Sequence, residues 1–99
     1  MGEAIIPKRR IVTPKGNLIE VVAWKVPKSK FYPEGMKYSF VLVHKEKRAI
    51  AFDNFNNEGH HRHSADKKGP YAFESLEKTA VQFFMLAKKF ESKQGDEHD

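Results

Sequence analysis

Only one segment of this chain repeats its apolar residues with the period of a helix, and it lies at the C-terminal end. Leu76, Ala80, Phe83, Ala87 and Phe90 alternate between four- and three-residue spacing, and Phe84 widens the stripe. That pattern predicts an amphipathic helix from about Leu76 to Ser92. Ser75 stands where an N-cap belongs and Glu77 falls in the first turn, while Lys88, Lys89 and Lys93 suit the far end of the dipole. Everything upstream reads as strand and turn. A chain with one such helix buries its stripe by laying it across one face of a sheet.

The strands are read from β-branched and aromatic runs with period-two alternation. Ala4-Ile5-Ile6, Pro7 and Ile11-Val12 suggest an edge or broken strand, because proline cannot donate to a ladder. Pro14-Lys15-Gly16-Asn17 signals a turn, and Leu18 to Val26 a strand that Pro27 stops. Lys28 to Lys37 reads as a loop. Tyr38 to His44 puts Tyr38, Phe40 and Leu42 on one face. Arg48 to Asp53 follows after a short polar turn, which implies an antiparallel hairpin. Asn54 to Gly69 is polar and loop-like, with His61 to Ser64 able to form a short strand. The expected fold is therefore α+β: one antiparallel, meander-like sheet of about four strands with the C-terminal helix on one face. The other face should be partly polar and accessible.

Ninety-nine residues make one domain, expected over 1–94, with an acidic disordered tail at 95–99. The tail holds Asp96, Glu97 and Asp99. Ten acids then face eighteen Lys and Arg in the rest, a net +8. That imbalance favours a polyanionic partner such as RNA, DNA or an acidic protein. The chain has no cysteine, which excludes disulfides and cysteine-based zinc sites and suits a reducing cytoplasm. No apolar run approaches the roughly 20 residues that cross a bilayer, and the apolar part of Met1 to Arg10 is too short for a secretory signal. The composition reads as soluble and intracellular, with no membrane partner; self-association is compatible with it.

Chemistry concentrates in Asp53-Asn54-Phe55-Asn56-Asn57-Glu58-Gly59-His60-His61-Arg62-His63. Three of five histidines fall within four residues, and imidazole is the side chain that titrates near neutrality. In an extended strand His61 and His63 share a side, about 6–7 Å apart, with His60 and Arg62 on the other. Such a pair suits a general base and a general acid flanking a phosphate, or two ligands of one metal. Zinc wants three or four protein ligands, so a metal would need His60 or Asp53 as well. Histidines that merely cap turns in a solvated loop are the bland alternative. For RNA cleavage, a base takes the 2′-hydroxyl proton, an acid protonates the leaving 5′ oxygen, and a cation such as Arg62 holds the developing charge. No cofactor or metal is required.

Asp53 can orient a histidine by accepting its ring proton, or with Asn54 simply start a turn. Tyr71 can bring a hydroxyl to the site or be an ordinary core tyrosine. Lys28, Lys30 and Lys37, with Phe31 and Tyr32 between them, mix cations with aromatics as nucleic-acid contacts do, although such aromatics also pack onto a sheet. Lys8, Arg9 and Arg10 protect an edge strand or contact phosphate.

The order Val26-Pro27, Gly35, Tyr38, Phe52-Asp53-Asn54, Gly59, His61-Arg62-His63, Pro70-Tyr71-x-Phe73 and a helix carrying Phe83 resembles the TumE-type toxins of prokaryotic toxin–antitoxin pairs, from about Gly16 to Phe90. The resemblance implies a toxin encoded beside a DNA-binding helix-turn-helix antitoxin and acting on RNA. It centres the site on His61, Arg62 and His63, with Asp53, Asn54 and Tyr71 in support. It demotes His60, whose position in that pattern is often Asp. The layout is also similar to RelE and barnase-like ribonucleases, apart from the helix those usually carry before the first strand. Two readings from other classes stand beside the ribonuclease: a non-catalytic nucleic-acid-binding module, and a protein-interaction domain.

Overall fold

The computed structural model describes residues 3–55, 59–64 and 67–96. Asn56, Asn57 and Glu58 of the histidine-rich stretch and residues 97–99 of the acidic tail lie outside the described residues. Six strands form one antiparallel sheet in sequence order: β1 (Ala4–Val12), β2 (Leu18–Lys25), β3 (Met36–His44), β4 (Lys47–Asp53), β5 (His61–Ser64) and β6 (Lys67–Pro70). The helix α1 spans Leu76–Asp96. The meander and its covering helix match expectation, but the strand count is six rather than about four. The two extra strands come from the segment that reads as polar loop. β5 and β6 carry His, Arg, Lys and Gly, so no apolar alternation marks them. Their cause is the unpaired backbone edge of β4, on which His61 pairs with Asp53 and Ser64 with Ile50.

β1 is the edge strand anticipated from Pro7, and its register slips on either side of Ile6, where the proline denies the ladder a donor. Between β3 and β4, Lys45 and Glu46 both take positive φ, 51° and 68°, as a two-residue hairpin turn with the favoured twist requires. In the β2–β3 connection Gly35 has φ +73°, and a Cβ there would meet Lys28 Cγ at 3.0 Å.

Register sorts the side chains into two faces. Ile19, Val21, Ala23, Tyr38, Phe40, Leu42, Ile50 and Phe52 point toward the helix and form the core with Phe83 and Ala87. Phe83 packs against Phe40 and Phe52 at centroid distances of 5.8 and 6.4 Å. The Ser75 hydroxyl accepts the Lys78 N–H at 3.0 Å, the cap its position promised. Among the described residues no helix is long and apolar enough to cross a membrane.

A polar clasp ties the β1–β2 turn to the last turns of α1. Buried Asn17 donates to Glu91 Oε2 at 2.8 Å and Gln94 Oε1 at 2.7 Å, and its carbonyl meets His44 Nδ1 at 2.7 Å. Thr13 adds a hydroxyl bond to the same Glu91 carboxylate. Replacing Asn17 with Ala strands several half-buried partners at once. The expected loss is about 2 kcal/mol, since each unsatisfied group costs ~1–3 kcal/mol before relaxation. That corresponds to roughly 10 °C in Tm for a domain of this size, read by thermal denaturation; an unchanged Tm would show the clasp to be dispensable.

Candidate functional site

The end of β4 and the start of β5 bring two buried histidine arms together. His60 and His61 are chain neighbours, so they leave the backbone in different directions, and each meets a carboxylate. His61 Nε2 lies 2.8 Å from Asp53 Oδ1, and His60 Nε2 lies 3.0 Å from Glu34 Oε1.

The first arm belongs to the face turned away from the helix. Asp53 pairs with His61 and Ala51 with His63, which puts these residues on one side of the sheet. Asp53 and His61 are 5% and 7% exposed. Besides His61, the Asp53 carboxylate accepts the Phe55 N–H at 3.1 Å and faces Arg48 Nη2 at 3.5 Å. The other nitrogen of His61, Nδ1, is 3.1 Å from the Gly59 carbonyl oxygen. Both ring nitrogens thus point at acceptors. A neutral imidazole has one N–H, so it donates to one of these acceptors at a time. His63 is less enclosed. Its Nε2–H donates to the Arg48 carbonyl at 3.1 Å, and its Nδ1 has no partner among the described residues.

The second arm runs along the helix side. With Glu34 ionised, neutral His60 carries its proton on Nε2 and accepts at Nδ1 from the Tyr38 hydroxyl at 2.8 Å. Tyr38 then accepts from Tyr71, and Tyr71 from Thr79 at 3.2 Å. The chain Thr79–Tyr71–Tyr38–His60–Glu34 therefore donates in one direction and ends on a carboxylate. Phe73 stacks on the His60 ring at 4.0 Å and 9°. Burial, then hydrogen bonding to Tyr71, pushes the Tyr38 phenol far above its ordinary range. Burial also raises Tyr71, against an opposing contribution from its bonds to Thr79 and Tyr38. Both hydroxyls hold their protons in the folded protein.

These phenols have a measurable consequence. Below about pH 10 folded and unfolded chains are both protonated, and the shifts contribute no pH dependence. Above it the unfolded chain releases protons that the folded one keeps, so stability falls as pH rises, by ~1.4 kcal/mol per pH unit for Tyr38. Urea midpoints at pH 9, 10 and 11 should drop more shallowly in Tyr38→Phe than in the wild type. Parallel curves would remove Tyr38 from the account.

Among the anticipated residues, His61, His63 and Asp53 come together as a group. Arg62 does not join them: it pairs with Phe52, on the helix-side face of the sheet, and is exposed. The guanidinium on the histidine face is Arg48, which no sequence spacing singles out because it reaches Asp53 along its own strand. Asn54 is a structural staple, accepting the Tyr38 N–H at 3.0 Å and donating to the Met36 carbonyl at 2.9 Å. Tyr71 lies in the second arm. Its partner Tyr38 reads from sequence as core, and only the short distance from Tyr71 and His60 in three dimensions reveals the hydroxyl chain. Lys37 faces away from the helix, its ammonium 4.9 Å from the Phe55 ring centre and 5.4 Å from that of Tyr32. Lys28 and Lys30 stay exposed in the loop. Among the described residues no three His, Asp or Glu side chains converge as metal ligands.

A basic single-layer antiparallel sheet with one covering helix and a buried histidine–carboxylate pair at one end defines a small α+β domain. The family model for the toxin TumE matches residues 3–90, and the chain belongs to that family. The match takes in all six strands, both histidine arms and most of the helix. No curated protein and no solved structure matches the chain.

Proposed function

We propose that this toxin is a metal-independent endoribonuclease that cleaves RNA by histidine acid–base chemistry. The observation that carries the reading is His63: an imidazole whose Nδ1 has no partner among the described residues, on the same face as a buried Asp53–His61 pair and the Arg48 guanidinium. His63 Nδ1 takes the proton of the 2′-hydroxyl, and the 2′ oxygen attacks phosphorus. The P–O5′ bond breaks, and the leaving oxygen takes the proton that His61 Nδ1 otherwise directs at the Gly59 carbonyl. Asp53 holds the His61 ring oriented. Arg48 faces the additional negative charge of the transition state. Arg62, on the opposite face, contacts the RNA backbone outside the reacting phosphate, with Lys28, Lys30 and Lys37.

A toxin of this kind acts in the cytoplasm and needs an antitoxin, for which a helix-turn-helix DNA-binding protein encoded alongside is the expected partner. The test is cleavage of single-stranded RNA by the full chain. Products with 2′,3′-cyclic phosphate ends that persist in a chelator support the reading. Tight, salt-sensitive RNA binding without any product would favour the non-catalytic binding module instead.

A further inference from the structure

We infer that the sheet face turned away from the helix is a track for single-stranded RNA, anchored by stacking on Trp24 and Phe55; this rests on the ribonuclease reading above. Trp24 is the chain's only tryptophan, yet it takes no part in the hydrophobic core. It sits half-buried on the face away from the helix, in register with Lys37 of β3. Phe55 meets it edge-to-face at 5.8 Å and 77°. The Lys37 ammonium lies over the rings of both Phe55 and Tyr32. Two aromatic rings thus flank one cation, with Trp24 beside them, at the corner of a face that α1 leaves uncovered. Stacking surface beside a positive charge is what a nucleobase and its phosphate need.

The register leads from this corner to the histidines. Moving along β3 from Lys37 through Ser39 to Val41, and across β4 to β5, reaches His63 opposite Ala51. With strands ~4.8 Å apart and a rise of ~3.4 Å per residue, the Cα of Lys37 and that of His63 are about 17 Å apart, a span that a few nucleotides cover. The surface between is lined by half-buried Val22, Ser39 and Val41. Among the described residues, the acids that share this face are each held by a cation. Glu20 meets Arg10 at 2.7 Å, and Asp53 meets His61 and Arg48. Neither presents an unbalanced negative charge to a phosphate. An acidic protein would also be drawn to such a face, but it gains less from exposed ring surfaces than stacked bases do.

The experiment is a fluorescence titration of the full chain with a uridine hexamer whose 2′ positions are O-methylated, so that it binds without being cut. Excitation of Trp24 reports on the anchor itself. Quenching is expected on binding and should weaken with added salt. Phe55→Leu, which keeps the apolar bulk and removes the ring, and Lys37→Ala should each weaken binding about tenfold. No quenching, or affinity unmoved in both Phe55→Leu and Lys37→Ala, overturns the track. Binding with those losses, but with unmodified RNA left intact, would overturn the ribonuclease reading and keep the track.

Discussion

His63→Ala should lower RNA cleavage by about 10²–10⁴-fold, the usual contribution of one general acid or base, while leaving the protein folded. The asymmetry follows from what the ring does in the fold. Its single side-chain bond among the described residues is the one from Nε2–H to the Arg48 carbonyl, at a site water can reach, so the loss of stability should be no more than about 1 kcal/mol. His63→Gln sharpens the test. The amide can replace the hydrogen bond to Arg48 but cannot take a proton, so stability should return and cleavage should not. Rates measured with substrate in excess should fall mainly in kcat, because binding rests on residues elsewhere on the face. Cleavage by His63→Gln at the wild-type rate would remove this residue from the chemistry, and the acid–base reading with it.

The parts of the fold legible in the sequence are those written in apolar periodicity. Tyr38, Phe40 and Leu42 alternate, Leu76 through Phe90 repeat helically, and the structure buries both sets against each other. β5 was legible only as an allowed short strand over His61 to Ser64, and β6 not at all, because their pairing depends on backbone groups, to which His, Arg and Lys add no alternation. The site was half legible for a related reason. Strand spacing puts His61 and His63 on one face and Arg62 on the other, and the structure keeps that alternation. Glu34 and Arg48 were not legible. Each approaches its partner through a turn or a long side chain, with no regular spacing to betray it. His60 was demoted because its position in the resembled pattern is often Asp; the fold stacks it on Phe73 and makes it the link between Glu34 and the Tyr38–Tyr71 pair.

Asp53→Ala should be the most destabilising single change at the site, at about 3–5 kcal/mol, the usual loss when one member of a buried ion pair is removed. The substitution leaves the His61 ring with no carboxylate 2.8 Å away and strips the Phe55 N–H of its acceptor. For a domain whose whole stability is of order 5–15 kcal/mol, that brings unfolding within reach at 37 °C. Loss of activity in Asp53→Ala or His61→Ala is for this reason ambiguous, and the pair is better probed by coupling. Measured by urea denaturation, Asp53→Ala and His61→Ala combined should cost less than the two added, by about 1.5–3 kcal/mol, because the second change removes a group the first has already orphaned. Asp53→Asn should sit between, since the amide oxygen still accepts from one imidazole N–H but supplies no charge. Additive costs would mean that Asp53 and His61 do not act as a pair, and the orientation of the His61 ring would then have to come from elsewhere.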